Sequence, residues 1–225
     1  MKTSPSITTN IKQWQQRCRN YLLSIHEQFD LSHGIDHFDR VMINAYQLQQ
    51  HEGGDLAVIV PAVMLHDCVP IDKRSALRKK ASQLSADKAT ELLTLWQYPS
   101  HLIKAIGSAI ASHSFSANLT TKSLEGEIVQ DADRLDALGA IGIARLFSLG
   151  GTFGSQIYNA EEPFAINRAH DDKKFALDHF YTKLLSLHST FKTETGRRLA
   201  EKRTKIMLNY LDQLQQEILL QNPSL

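Results

Sequence analysis

The chain has 225 residues, a formal net charge of +1 and a hydrophobic fraction of 42%, an ordinary balance for a soluble globular protein. That length can bury a large core in one domain, and the near-neutral charge gives no electrostatic basis for nucleic-acid or membrane partners. No stretch approaches the ~20 apolar residues of a spanning helix. The segment MKTSPSITTNIKQW lacks the apolar core of a signal peptide. Two cysteines, Cys18 and Cys68, argue against a disulfide framework and for a reducing cytoplasm.

In chain order the pattern is helical almost throughout. Residues 9–29 carry Ile11, Trp14, Cys18, Tyr21, Leu22 and Ile25 at three- and four-residue steps, and 36–51 repeat this with Val41, Ile43, Ala45 and Leu48. Residues 55–67 are apolar nearly all round, the signature of a helix buried on several sides, with Pro61 as a kink or first-turn residue. Ser85 reads as the N-cap of a helix over 86–96, and Pro99 and Ser100 open another over 100–112. Residues 122–149 predict one long helix or two, broken at Gly139 or Gly142, followed by the connector LGGTFGS. Two more helices are predicted at 172–189 and 194–220, the last with Leu199, Ile206, Leu208, Leu211, Leu214 and Ile218 as its apolar positions. These positions serve either the core or a homodimer contact. No strand alternation is present, so the expectation is an all-α fold of about eight or nine helices in one domain spanning 1–225.

Three segments place metal-ligand residue types in otherwise apolar helices. AVIVPAVMLHD ends in His66-Asp67, SHGIDHFDRV carries His33 and His37 four apart, and EIVQDADRLDALGA sets Asp131, Asp133 and Asp136 among Ile128, Val129, Leu135 and Leu138. Such groups are expensive to bury unless an ion or a partner compensates them, and imidazole with carboxylate suits a divalent transition metal. A second His-Asp dipeptide, His170-Asp171, sits in polar NRAHDDKK and reads as a solvated loop. HGIDH lacks the glutamate of a zincin, and LGGTFGS lacks the lysine of a P-loop. Cys68, next to Asp67, is expected to fill space beside the site.

The ordered pattern H…HD…D resembles the HD-domain superfamily of metal-dependent phosphohydrolases. The motifs fall at about 25–145, with a helical extension over 160–220 that looks like the small single-domain bacterial branch of nucleotide pyrophosphohydrolase-like proteins. The resemblance implies His37, His66, Asp67 and Asp133 as ligands of one divalent ion, with Mn²⁺ foremost and Fe²⁺, Mg²⁺, Ni²⁺ or Zn²⁺ as alternatives. Asp131 is the alternative fourth ligand; Asp131 and Asp136 otherwise become outer acceptors, helix-polarity residues or partners of Arg134. The substrate implied is a small phosphate ester or anhydride, a nucleotide by preference, with water activated by the ion attacking phosphorus. Asp67 would orient that water. His113, in IASHSFSA, is the candidate acid to the leaving group or donor to the phosphate, with His33 as a second candidate, and Lys73 and Arg145 are the candidate phosphate contacts. His101 and His113 are the residues available to a second metal. The acidic pair that follows HD in stringent-response hydrolases is replaced here by Cys68-Val69-Pro70-Ile71. Two rival readings are a metal-bearing nucleotide sensor without turnover and a di-iron HD-type oxygenase.

Overall fold

Helix α3 (Leu56–Leu65) is the most apolar element, and every residue from Ala57 to Leu65 is buried. It begins where Asp55 Oδ1 accepts from the Ala57 amide at 2.8 Å. Pro61 lies inside it. A proline has no amide hydrogen, so the Ala57 carbonyl loses its helical donor four residues on. The Tyr98 hydroxyl supplies the replacement, donating to Ala57 O at 2.5 Å from a buried ring. Burial holds the Tyr98 phenol above its usual range, so it stays a donor. Tyr98→Phe is expected to lower stability by about 1–3 kcal/mol, the cost of a buried carbonyl left without its donor, read from denaturant unfolding.

The computed structural model describes residues 10–29, 34–71, 75–114 and 120–221. Among them are nine α-helices and one isolated bridge, between Gln156 and Phe175. The expected all-α class is what the chain adopts. No described helix is long and apolar enough to cross a membrane. The residues group into two compact units that divide after Asp133.

In the first unit α3 packs against α1 (Ile11–Ser24), α2 (Ile35–Glu52), α4 (Ala81–Leu95) and α5 (Ser100–His113). α6 (Leu124–Leu135) crosses the division, with its residues through Asp133 in this unit. The stripe predicted on α2 holds for Val41, Ala45 and Leu48, while Ile43 is 65% exposed. Ser85 does not cap a helix. α4 starts at Ala81, and Ser85 is buried within it, its Oγ accepting from the Val69 amide. Cys68 is buried, its thiol donating to Ser85 O at 3.6 Å, and burial pushes its pKa up to about 12. That thiol fills space, as expected, and belongs to none of the His/Cys/Asp/Glu groupings able to hold a metal among the described residues.

In the second unit α7 (Gly139–Phe153) follows a break at Gly139, whose φ is +74°. The connector LGGTFGS is largely helical: α7 runs through Gly150 and Gly151 and ends at the left-handed Gly154. A Cβ on Gly142 would fall 2.3 Å from Ala137 O and 2.9 Å from Met207 Cε, so only glycine lets α7 meet α9 (Glu194–Gln221) there. The buried residues of α9 include Ala200, Thr204, Met207 and Leu211; of the expected apolar positions Leu211 is buried, whereas Ile206 and Leu208, on either side of Met207, are exposed. The predicted helix at 172–189 is only the short α8 (Asp178–Thr182) and a 3₁₀ segment, Leu184–Thr190.

An ion pair organises the segment before α8. Asp178, fully buried, accepts from Arg168 Nη1 and Nη2 at 2.6 and 2.8 Å and from the Asp171 amide at 2.7 Å. Burial pushes the Asp178 carboxyl upward, and these donors outweigh it and hold it below the usual carboxylate range. With the folded pKa depressed, the pair stabilises fully above the unfolded value of ~3.9 and is lost as pH falls through the lower folded value. Asp178→Asn is expected to cost about 3 kcal/mol at pH 7, at the low end for a buried pair because Arg168 keeps partial solvent access. The variant should also lose part of the acid sensitivity below pH ~4; thermal melts across pH read both.

Candidate metal centre

Four of the expected ligand residues come together in the first unit, carried by helix ends. His37 lies in the first turn of α2, His66 and Asp67 directly follow α3, and Asp133 lies in the last turn of α6. His113 is the final residue of α5. Helix C-termini concentrate negative partial charge, which favours a cation, and three of these segments bring their C-terminal turns.

The His66 ring is set by its own helix. Its Nδ1 donates to Val63 O at 2.7 Å, and a carbonyl can only accept, so Nδ1 carries the proton and Nε2 offers a lone pair. His113 repeats the device, with Nδ1 donating to Ile110 O at 2.6 Å. His66 Nε2 lies 3.3 Å from His37 Nε2, 3.7 Å from Asp133 Oδ1 and 3.8 Å from Asp67 Oδ2. His37 Nε2 is 3.6 Å from the same Asp133 oxygen. Ligands bound at about 2.1 Å and separated by 90–110° stand roughly 3.0–3.4 Å apart. His37, His66 and Asp133 therefore fit one ion after contraction by a few tenths of an ångström, and Asp67, grouped with His66 and His113, would have to move closer to join them. His37, His66 and Asp133 form one grouping able to hold a metal, and His66, Asp67 and His113 a second that shares His66.

The surroundings are graded. The three imidazoles are at most 3% exposed, whereas the side chains of Asp67 and Asp133 are 18% and 27% exposed. The buried Phe38 ring packs 5.2 Å from His66 and 5.5 Å from His37. The site thus has a dry imidazole floor and a carboxylate mouth open to solvent. Burial raises the Asp133 carboxyl, but His66, His37 and His113 around it outweigh that and hold it below its ordinary value. Burial, with His66 alongside, lowers the His113 pKa, so its ring is neutral at pH 7.

Asp133, not Asp131, faces the imidazoles; Asp131 is fully buried and belongs to neither metal-capable grouping. Asp136 pairs with Arg145. Arg145 Nη1 donates to its carboxylate at 2.7 Å and its carbonyl at 3.0 Å, while Arg134 donates to Thr190 O. His33 and Lys73 lie outside the described residues. His101 is exposed in the first turn of α5, about 18 Å along the helix from His113, so it joins neither grouping. His170 and Asp171 are exposed, as expected of a solvated loop.

Two buried amides escaped the sequence reading. Asn44 Nδ2 donates to Ala132 O at 3.0 Å, and Gln130 Nε2 to Ser112 O at 2.8 Å. The available signal was Asn44's place seven residues after His37, on the same helix face, among Val41, Ala45 and Leu48.

A family model for the HD domain matches residues 34–138. Over 220 residues the chain is 30% identical to the uncharacterised protein YpgQ of Bacillus subtilis, covering 92% of this chain and 95% of that one. The chain belongs to the HD-domain superfamily. The crystal structure of B. subtilis YpgQ in complex with ADP superposes on this HD-domain protein with a TM-score of 0.73 at 29% identity, covering 92% of this chain and 96% of that one. An HD-superfamily hydrolase from Bacillus thuringiensis gives 0.68 at 30% identity, covering 93% and 97%. HD domains bind divalent metals, and the His/Asp cluster lies within the matched residues.

Proposed function

We propose that this HD-domain protein is a metal-dependent phosphohydrolase that cleaves a phosphate ester or anhydride of a nucleotide. His37, His66, Asp67 and Asp133 would hold one divalent ion, Mn²⁺ foremost. The observation that carries the reading is the approach of His37 Nε2, His66 Nε2 and Asp133 Oδ1 to within 3.7 Å of one another, with the His66 proton fixed on the far nitrogen. When bound, the ion supplies positive charge to the phosphate and lowers the pKa of a water.

The protein's own groups complete the chemistry. Asp67 presents Oδ2 toward His66 at 3.8 Å and Oδ1 toward His113 Nε2 at 3.6 Å, so one carboxylate can orient a water between them. His113, neutral with its Nδ1 proton committed to Ile110, offers Nε2 as acceptor and would take the proton of the attacking water. The open side of the site, at Asp67 and Asp133, is where a phosphate would enter. A nucleotide is favoured because the relative YpgQ has been solved with ADP. Lys73 is the proposed phosphate contact, with His33 as a further acid–base group. Two free, buried cysteines suit a reducing compartment such as the cytoplasm.

The test is a screen of Mn²⁺-loaded protein against nucleoside mono-, di- and triphosphates and model phosphate esters, with products identified. Phosphate or pyrophosphate release that requires the metal supports the reading. Tight metal binding with no turnover of any substrate would leave a sensor instead.

A further inference from the structure

The fourth ligand reaches the site on α6, and α6 must be held at a fixed distance from α2, which carries His37. Asn44 ties the two helices together. It lies two turns after His37, so the α2 face that presents the imidazole also presents the amide. Its Nδ2 donates at 3.0 Å to the carbonyl of Ala132, the residue bonded directly to Asp133. Asn44 is 4% exposed beside the buried Val41, Ala45 and Leu48. A helical carbonyl has a second lone pair for such a donor. The amide thus ties the peptide unit before Asp133 to the helix that holds His37.

We propose that Asn44 is a positioning residue of the metal centre, fixing the Asp133 carboxylate in register with His37 and His66. The inference rests on the metal-centre reading above. It accounts for a polar side chain in an apolar stripe that neither ligates nor faces solvent. The bond from Gln130 to Ser112 ties α6 to α5 independently, so loss of Asn44 shifts the ligand without releasing the helix.

The experiment measures Co²⁺ affinity by calorimetry and the visible absorption of the Co²⁺-loaded protein, which reports ligand geometry. Asn44→Leu has a similar shape and suits its apolar neighbours, so it removes the donor while keeping the packing. Asn44→Ala removes both. Each is expected to bind Co²⁺ about 10–100-fold more weakly, the range for losing a group that orients a ligand, and with an altered spectrum. Tyr98→Phe, which deletes a buried hydrogen bond elsewhere in the unit, should lower the melting temperature and leave Co²⁺ affinity and spectrum at wild-type values. Asn44→Leu that melts no lower than wild type yet binds Co²⁺ weakly separates positioning from stability. Wild-type affinity and spectrum in a folded Asn44 variant overturn the proposal. Absence of Co²⁺ binding by the wild-type protein overturns the metal centre itself.

Discussion

His66→Ala is expected to abolish tight divalent-metal binding and to lower hydrolysis by more than about 100-fold, beyond the 10–100-fold cost of losing an outer-shell group. His66 is the one residue common to both metal-capable groupings, and its Nε2 lies within 3.8 Å of His37, Asp133 and Asp67. Its ring also heads the neighbouring imidazoles that hold the Asp133 carboxyl low. Metal content after dialysis and melting curves with and without chelator check the result. The wild-type protein should melt lower once chelated, because an ion bound only to the folded state stabilises it. The variant should melt at one temperature in both conditions. Retention of metal and activity by the variant would move the ion elsewhere.

His113→Ala is expected to lower activity by about 10²–10⁴-fold, the usual worth of a positioned acid–base group, with metal affinity kept within a few-fold. The pH profile carries the sharper signature. Burial lowers the His113 pKa, and a bound cation nearby would lower it further. Activity that needs the neutral ring therefore persists at pH 7 and falls only as pH drops through a value below the ordinary ~6.5. The wild-type acid limb should lie below that point, and the variant should lack the part due to this group. Loss of metal together with activity would make His113 a ligand instead of a base.

The grouping of His37, His66, Asp67 and Asp133 was legible in the sequence because charged residue types in apolar helices demand compensation, and the other three all approach His66 Nε2 to within 3.8 Å. Choosing between Asp131 and Asp133 was not a matter of composition. Residues two apart on a helix point about 200° from each other, so the choice needs the phase of α6 against α2 and α3. The Arg145–Asp136 pair was hidden by the helix break between its members. A neutral amide such as Asn44 carries no motif, and its bond to a backbone carbonyl 88 residues away leaves no spacing to read. Elsewhere, local chemistry misled. Ser85 has the residue type of an N-cap and is an interior helical residue, and the large aliphatic side chains Ile206 and Leu208 of α9 yield the core to Ala200, Thr204 and Met207. In both places packing overrode propensity.

Pro61 and Tyr98 constrain the order in which this protein can change. While Tyr98 is present, Pro61→Ala adds an amide donor to a carbonyl that already has one, and little is lost. While Pro61 is present, Tyr98→Phe strips that carbonyl of both. Once residue 61 has an amide, the phenol becomes dispensable. A double-mutant cycle should therefore show Tyr98→Phe costing much less after Pro61→Ala than before it. One route between the two pairings passes through a stable intermediate and the other through a damaged one, so the order of change at a helix-breaking residue and at a hydroxyl 37 positions away decides whether stability is kept.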